Sequence, residues 1–271
     1  MTASAPGQIA DCRGLVFEGK RIRAVVFDLD GTIYEGDKPA DGALDLVRFF
    51  RENDVKVFYC TNNSTKTRRE LRGKLVKMGL AASTDAIYSA AHAAGKYAAE
   101  MSIKQAYCFG ADGLRQELGS SGVEVIEDAS KAAVAILGLD PDVDYRKISD
   151  LACFRDREVT LVACNKDRFF PVEDGRLMPG CGLFVTMIED LLKREVDHVV
   201  GKPNTYMLEL LSKEHGLSSG EMLVAGDSYD SDMEMAKRFG CPSVLIGREK
   251  GSSIPGVAVV RNIAGVRDLF C

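Results

Sequence analysis

This chain of 271 residues contains only three histidines, and none of them stands in a catalytic pattern. His92 lies in an alanine-rich stretch, His198 beside a short apolar run and His215 near the end of a predicted helix. A hydrolase based on Ser, His and Asp, or a histidine metal cluster, therefore has little support. The eight cysteines include no C-x-x-C pair, and none has Arg six residues later, which argues against a cysteine-dependent phosphatase. Since several cysteines lie in or beside apolar strands, we expect reduced thiols rather than disulfides.

The sequence also lacks an excess of positive charge and any long apolar run. Its 35 Lys and Arg face 40 Asp and Glu, so a net charge of −5 predicts no general attraction to nucleic acid or to an anionic membrane. No stretch of about 20 apolar residues occurs, and the N-terminus has no basic start followed by an apolar segment. We therefore expect a soluble, cytoplasmic protein. With 46% apolar residues, the chain can bury one large core, or one core plus a smaller inserted domain.

The most informative stretch is residues 25–32, where the apolar run Val-Val-Phe is followed by Asp-Leu-Asp-Gly-Thr. It predicts a buried strand of a parallel sheet that turns at its carboxyl end, where ligands bind in open α/β folds. Because extended residues alternate between faces, Asp28 and Asp30 are expected to share one face. Two neighbouring carboxylates repel each other unless a cation or a proton separates them. A hard divalent metal, Mg²⁺, is therefore implied.

Three further polar segments each follow a predicted strand. They are Thr61-Asn62-Asn63-Ser64, Gly201-Lys202-Pro203, and the acidic run from Gly226 to Asp232. If the four strand ends lie side by side, they form one pocket with a metal, a positive charge, anion-binding donors and a nucleophilic oxygen. That inventory suits phosphoryl transfer.

The residue types suggest a role for each group. Asp28 is the candidate nucleophile that forms an aspartyl-phosphate, and Asp30 the acid that protonates the leaving oxygen and later deprotonates water. Lys202 and Mg²⁺ would offset charge on the transferring group, while Thr61 and the Asn62 amide would hold its oxygens.

The acidic run after the fourth strand supplies two more candidates. Asp227 is the natural third metal carboxylate, and Asp232 is placed to orient Lys202 or a metal-bound water. These acids are also suited to cap the next helix, a role that is compatible with catalysis. Asp230 has no assigned role.

The motifs Asp-Leu-Asp-Gly-Thr, Thr-Asn-Asn-Ser, Gly-Lys-Pro and Gly-Asp-x4-Asp, in this order, resemble the four motifs of the haloacid dehalogenase-like (HAD) superfamily. Residues 165–182, with Asn-Lys-Asp, Phe-Pro, Asp-Gly and Pro-Gly-Cys-Gly, narrow the resemblance to the 4-nitrophenylphosphatase/NagD-like branch. The resemblance covers roughly residues 21–250. It implies that Asp28 and Asp30 are nucleophile and acid/base, and that the backbone carbonyl of Asp30 also binds Mg²⁺.

The resemblance further implies that Asp227 is a metal ligand, that Thr61 and Asn62 bind phosphate, and that Lys202 is the motif lysine. Asn165-Lys166-Asp167 replaces the usual Asn-Pro-Asp of the branch, and Ser228 replaces a long residue. The first departure lies in a loop that usually touches the leaving group, so it bears on the substrate rather than on the reaction. Dehalogenases of the superfamily lack the second acid, so Asp30 argues against dehalogenation.

The predicted fold is α/β: a Rossmann-like, three-layer α/β/α core with a parallel sheet and an inserted smaller α/β cap domain. We assign residues 1–82 and 180–271 to the core and residues 83–179 to the cap. Within the cap, the pattern predicts helices at 86–101, 112–118 and 145–154, and strands at 106–109, 133–137 and 160–164. By resemblance, this cap lies between motifs two and three, covers the site and excludes water during phosphoryl transfer.

Several alternatives stay open at this point. A phosphotransferase or mutase would use the same aspartyl-phosphate, and a non-catalytic phosphate-binding regulator would keep the fold. Candidate substrates of the branch are pyridoxal phosphate, phosphoglycolate, nucleotides and sugar phosphates, and a homodimer is possible. Phe169 and Phe170 fit either a planar leaving group or an ordinary cap core. Gly14-x4-Gly19-Lys20 nearly spells a phosphate loop, but Arg21 replaces the required Ser or Thr, so residues 14–24 are expected to form a hairpin.

Overall fold

The computed structural model describes residues 15–171, 176–247 and 256–270. The strands are β1 (Leu15–Phe17), β2 (Lys20–Ile22), β3 (Ala24–Phe27), β4 (Tyr34–Glu35), β5 (Lys38–Pro39), β6 (Lys56–Thr61), β7 (Ile87–Ser89), β8 (Gln105–Phe109), β9 (Glu124–Ile126), β10 (Val134–Leu137), β11 (Thr160–Ala163), β12 (Phe169–Pro171), β13 (Leu177–Pro179), β14 (His198–Val199), β15 (Met222–Gly226), β16 (Ser243–Ile246) and β17 (Ala258–Val260). The α-helices are α1 (Ala43–Glu52), α2 (Arg68–Lys77), α3 (Ala90–Glu100), α4 (Asp112–Ser120), α5 (Tyr145–Leu151), α6 (Cys181–Leu192), α7 (Tyr206–His215) and α8 (Glu234–Phe239).

The larger sheet has the strand order β17-β16-β15-β3-β6-β7, and its neighbouring strands are all parallel. Strand β3, which leads into Asp28, therefore lies between β15 and β6, which lead into the acidic run and into Thr61. Because parallel strands end at the same edge, three of the four predicted motifs meet there.

A second parallel sheet has the order β14-β11-β10-β8-β9. Most of it comes from the chain between motifs two and three, so the prediction of a parallel α/β core with an inserted smaller α/β unit is confirmed. The pairs β1–β2, β4–β5 and β12–β13 are antiparallel hairpins, and the first confirms the hairpin expected instead of a phosphate loop. Gly14 of that near-match lies outside the described residues.

Two elements differ from the sequence prediction. Residues 87–89, expected to begin a helix, form β7 at the edge of the larger sheet, because Ile87 and Tyr88 are fully buried there and Ser89 then caps α3. Strand β14, expected beside the core strands, pairs instead with β11 of the second sheet. The backbone N–H groups of Val200 and Gly201 continue that pairing to the carbonyl oxygens of Ala163 and Cys164. The chain therefore passes from the larger sheet to the second sheet after residue 89 and returns to the larger sheet after residue 201. The predicted domain limits of 83 and 179 remain a proposal.

The apolar side chains of β3 divide between two clusters on the two faces of the larger sheet. Val25 and Phe27 pack into one cluster with α1, while Ala24 and Val26 belong to a second cluster that continues into the second sheet. Alternation of faces along a strand explains this division. The core and the inserted unit thus share continuous apolar packing, and among the described residues no helix is both long and apolar enough to cross a membrane.

Candidate active site

The turn after β3 separates the two aspartates of the first motif. The backbone N–H of Asp28 donates to the carbonyl of Ala225, so Asp28 still lies on the sheet edge and is 8% exposed. The N–H groups of Ile33 and Tyr34 both donate to the carbonyl of Leu29, which closes a tight loop. Asp30 stands on the outer side of that loop, exposed to solvent, and its carboxylate accepts a 3.3 Å hydrogen bond from the Tyr34 hydroxyl.

Gly31 is required in this loop for two reasons. Its φ of +86° lies in the left-handed region that side chains disfavour, and a Cβ there would come within 2.5 Å of the Asp227 carboxylate. The glycine therefore allows the loop after β3 and the loop after β15 to approach each other. Across this contact, the Thr32 hydroxyl donates a 3.1 Å hydrogen bond to Asp227.

The Lys202 ammonium lies at the centre of the site. It is buried and donates to Asp28 Oδ1 at 2.5 Å, to Asp232 Oδ1 at 2.7 Å and to the Cys60 carbonyl at 3.2 Å. Burial alone would lower the pKa of Lys202, but the Asp232 and Asp28 carboxylates hold that pKa well above its ordinary value. The lysine is therefore charged at neutral pH, and its three donors have three acceptors.

Three carboxylates surround this single ammonium. Oxygens of Asp28, Asp227 and Asp232 all lie within 4.8 Å of one another. The pKa of Asp28 is raised well above its ordinary value, chiefly by burial and further by the Asp232 and Asp227 charges, although Lys202 opposes the shift. Partial desolvation and then the Asp232 charge also raise the pKa of Asp227, which stands at the solvent-exposed mouth of the group. Negative charge is in excess, and a divalent cation is the natural complement.

Asp232 differs from the other two acids because its oxygens are already used. Oδ1 accepts from the Lys202 ammonium, and Oδ2 accepts a 3.2 Å hydrogen bond from the Ser228 backbone N–H. A single π-helical turn, Tyr229–Met233, brings Asp232 back over the end of β15, where a Cβ on Gly226 would collide with the Asp232 carboxylate. Asp230, on the same turn, is exposed to solvent and outside the acidic group.

Asn62 connects the second motif to two other segments. Its side-chain Nδ2 donates to Asp167 Oδ2 at 2.8 Å and to the Lys202 carbonyl at 3.0 Å, and its Oδ1 accepts from the Lys202 N–H at 2.8 Å. The Asn165 side chain donates to the Asn62 carbonyl at 2.7 Å. Thr61, buried just before it, accepts from the Asn63 N–H at 3.1 Å, and its hydroxyl donates to none of the residues that the structure describes.

The structure thus brings Asp28, Asp227 and Asp232 together around Lys202, and Asn62 binds the Lys202 backbone. Thr61 directly precedes Asn62, whereas the Asp30 carboxylate, expected on the same face as Asp28, lies in the exposed loop outside the acidic group. Sequence reasoning missed several groups of the site: the Cys60 carbonyl, the Thr32 hydroxyl, the Tyr34 hydroxyl, and the side chains of Asn165 and Asp167. Asn165 and Asp167 were part of a quoted motif, but their contacts span more than 100 positions of chain and leave no local signal. Asp174 and Gly175 of the same motif lie outside the described residues.

Several basic residues of α2 make contacts within the chain. The Arg68 backbone N–H donates to Glu117, the Arg72 side chain donates to the Ala82 carbonyl, and the Lys74 ammonium lies 3.9 Å from the centre of the Tyr34 ring.

Comparisons with known proteins agree with this arrangement. Residues 25–124 match a family model described as haloacid dehalogenase-like hydrolase, and residues 199–259 match a second model described as HAD-hydrolase-like. The chain is 30% identical over 245 residues to phosphoglycolate phosphatase 2 of Arabidopsis thaliana, a match that covers 82% of this chain and 81% of the relative. It is 28% identical to the sugar-phosphatase AraL of Bacillus subtilis, over 82% of each chain. The fold is similar to that of a p-nitrophenyl phosphatase from Archaeoglobus fulgidus, with a TM-score of 0.83 and 27% identity over 91% of this chain and 98% of that one.

Proposed function

We propose that this chain, which belongs to the haloacid dehalogenase-like hydrolase family and is a phosphatase, hydrolyses small phosphate monoesters. The reaction would proceed through an aspartyl-phosphate on Asp28 with the aid of Mg²⁺. The observation that carries the proposal is the buried Lys202 ammonium, held between Asp28 and Asp232 at the edge where the core strands end. A structural ion pair needs one acid, whereas this lysine lies beside three carboxylates, whose negative charge exceeds the positive charge of the one ammonium.

Asp28 is the group placed to attack phosphorus. Lys202 orients the carboxylate through Oδ1, and within the described part of the chain Oδ2 accepts no side-chain hydrogen bond. An oxygen of Asp28 forms a bond to phosphorus as the ester P–O bond breaks, and Asp30 gives its proton to the leaving oxygen. In the second step water attacks phosphorus, Asp30 takes the proton, and the Asp28–phosphorus bond breaks to release phosphate. The exposed position of Asp30 suits exchange with a leaving group and with water.

The acidic residues fit a Mg²⁺ ion by their chemistry. The carboxylates of Asp28 and Asp227, with the backbone carbonyl of Asp30, are hard oxygen ligands of the kind that Mg²⁺ prefers, and the crowded acids carry uncompensated negative charge. The bound ion would supply Lewis-acid stabilisation of charge on the phosphoryl oxygens. Asp232 is better suited to orient Lys202, because both of its oxygens already accept hydrogen bonds.

The phosphoryl oxygens would be held by groups at the end of β6 and by Lys202. The Asn62 side chain is fully engaged with Asp167 and Lys202, so its backbone N–H is the donor that we assign to phosphate. The Thr61 hydroxyl adds a second donor and the Lys202 ammonium a positive charge. These donors are fixed before substrate binds, which reduces the reorganisation needed in the transition state.

For the substrate, we propose a small phosphorylated metabolite of the sugar-phosphate or phosphoglycolate type, as the names of the relatives suggest. 4-Nitrophenyl phosphate is expected to serve as an artificial substrate, by analogy with the structural relatives.

The test is the release of 4-nitrophenol by the wild-type protein and by Asp28→Asn, each with Mg²⁺ and with EDTA. Of these four combinations, only the wild type with Mg²⁺ is expected to turn over substrate. As a control, Asp230→Asn with Mg²⁺ should keep full activity, because it changes an exposed acid outside the acidic group. Turnover by folded Asp28→Asn, or by the wild type in EDTA, would contradict the proposal.

A further inference from the structure

Asn62 is clasped by a short segment of the inserted unit, residues 165–167. The Asn165 side chain donates to the Asn62 carbonyl at 2.7 Å, and the Asp167 carboxylate accepts from Asn62 Nδ2 at 2.8 Å. The Asp167 N–H in turn donates to Asn165 Oδ1 at 3.0 Å, which fixes the two clasping side chains relative to each other. Both the backbone and the side chain of Asn62 are thus held from the second sheet.

The clasping segment is itself fixed from behind by the start of α6. The Gly182 N–H donates to the Asp167 carbonyl at 2.8 Å. A Cβ on Gly182 or on Gly180 would collide with the backbone of Lys166 or Asp167, so only glycine permits this approach. The Asp167 carboxylate therefore has a defined position, as a residue that orients another must have.

Through Asn62, the clasp reaches the main chain of Lys202. The Asn62 amide forms two hydrogen bonds with the Lys202 backbone, one to its carbonyl at 3.0 Å and one from its N–H at 2.8 Å. Nδ2 has two protons, and Asp167 takes one while the Lys202 carbonyl takes the other. Asp167 thus fixes the rotation of the amide that aligns Lys202 with the second motif.

We infer that Asp167 is a positioning residue: as a hydrogen-bond acceptor it holds Asn62 in the orientation that aims the Asn62 backbone N–H and the Lys202 ammonium at the phosphoryl group. This role rests on the proposed function of Asn62 and Lys202. It also links the inserted unit to the catalytic edge, because the site is complete only when residues 165–167 are seated on Asn62.

The experiment compares Asp167→Ala with Asp167→Asn, because the amide of asparagine keeps an acceptor oxygen while it removes the charge. In the Mg²⁺-loaded protein, Asp167→Ala is expected to lower kcat for 4-nitrophenyl phosphate and to weaken orthovanadate binding, each by about 10- to 100-fold, as is usual for groups that orient catalytic ligands. Asp167→Asn should stay within about threefold of the wild type. Asp156→Ala, an exposed acid in the loop before β11, serves as the matched control and should change neither quantity.

A double-mutant cycle with Asn62→Ala provides the second readout. If Asp167 acts through Asn62, the double variant should be no worse than Asn62→Ala alone, whereas additive losses would overturn the inference. An Asp167→Ala protein with unchanged kcat and vanadate affinity but a lower Tm would also overturn it, since that result describes a purely structural contact. Equal losses in Asp167→Asn and Asp167→Ala would overturn the acceptor role in favour of a role for the charge.

Orthovanadate binding separates this inference from the proposed function. Absence of turnover by the wild type would contradict the proposed phosphatase reaction, while a vanadate affinity that falls in Asp167→Ala and recovers in Asp167→Asn would still support the positioning role. Turnover by the wild type with no effect of either variant would leave the phosphatase standing and overturn the positioning role.

Discussion

Replacing Asp28 by asparagine is expected to abolish turnover and, in the absence of metal, to stabilise the fold. The carboxylate oxygens of the buried Asp28–Asp232 pair lie within 4.8 Å of each other, and at an effective dielectric constant of about 20 two unit charges at that separation or less repel by at least about 3.5 kcal/mol. Repulsion from the exposed Asp227 is screened to roughly 1 kcal/mol. Attraction to Lys202 at 2.5 Å is about 7 kcal/mol on the same scale, so the ionic terms favour the charged Asp28 by at most about 2 kcal/mol.

Removing the Asp28 carboxylate from water costs several kcal/mol, which exceeds this ionic gain. The direction agrees with the raised pKa of Asp28, which burial causes first. The amide of the Asp28→Asn variant removes the charge but keeps an oxygen for Lys202. Without metal, we therefore expect the free energy of unfolding to increase by about 1–3 kcal/mol, which corresponds to a rise in Tm of about 2–10 °C. Because the folded-state pKa of Asp28 lies above its unfolded value, this gain in stability should be absent below a pH of about 4, where Asp28 is neutral in both the folded and the unfolded protein. The gain should grow as the pH rises from there and level off above the folded-state pKa.

Thermal unfolding of the wild type, Asp28→Asn and the control Asp230→Asn, in EDTA and in saturating Mg²⁺, measures this effect. Mg²⁺ should raise the Tm of the wild type and of the control, because a ligand that binds only the folded state stabilises it, and should leave Asp28→Asn nearly unchanged. If Asp28→Asn were less stable than the wild type in EDTA and still stabilised by Mg²⁺, the reasoning about this acidic group would be refuted.

Three further substitutions test other parts of the site. Lys202→Met leaves two buried carboxylates without their cation and should lower the free energy of unfolding, measured by urea titration, by about 3–5 kcal/mol. A loss below about 1 kcal/mol would contradict the central role of the ammonium. Gly31→Ala places a Cβ against Asp227 and should weaken the Mg²⁺ affinity measured by titration of activity at least about tenfold, whereas Gly19→Ala, also at positive φ but in open space, should leave that affinity unchanged. Glu117→Ala removes the acceptor of the Arg68 N–H where α4 meets α2 and should lower the free energy of unfolding by about 1–3 kcal/mol in the same urea assay. An unchanged free energy of unfolding would contradict the importance of this contact.

The sheet edge that carries the candidate site could be predicted from the sequence because its residues follow strands in a fixed order. Asp28 and Asp227 come directly after buried apolar runs, and such runs predict neighbouring parallel strands whose ends meet. Lys202 contacts Asp28 in the fold, although the strand that precedes this lysine belongs to the other sheet. A strand of two residues carries too little pattern to reveal its partner.

What the sequence did not reveal depends on contacts between distant segments. Strand β7 precedes an alanine-rich helix, and local helix propensity concealed the burial of Ile87 and Tyr88 at the sheet edge. The clasp of Asn165 and Asp167 on Asn62 joins positions more than 100 residues apart, and only the folded chain shows which of many polar side chains meet.

The central claim, that Asp28 accepts the phosphoryl group, is tested most directly in the Asp30→Asn variant. This variant lacks the proposed base for the second step, and 4-nitrophenolate leaves without needing a proton, so the aspartyl-phosphate should accumulate. Acid quenching of the Mg²⁺-loaded variant with 4-nitrophenyl phosphate, followed by peptide mass mapping, should find a phosphoryl group on Asp28 together with a stoichiometric burst of 4-nitrophenol. The Asp28→Asn/Asp30→Asn double variant should show neither. A folded Asp30→Asn protein that turns over substrate without a burst, or that carries the phosphoryl group on another residue, would contradict the account.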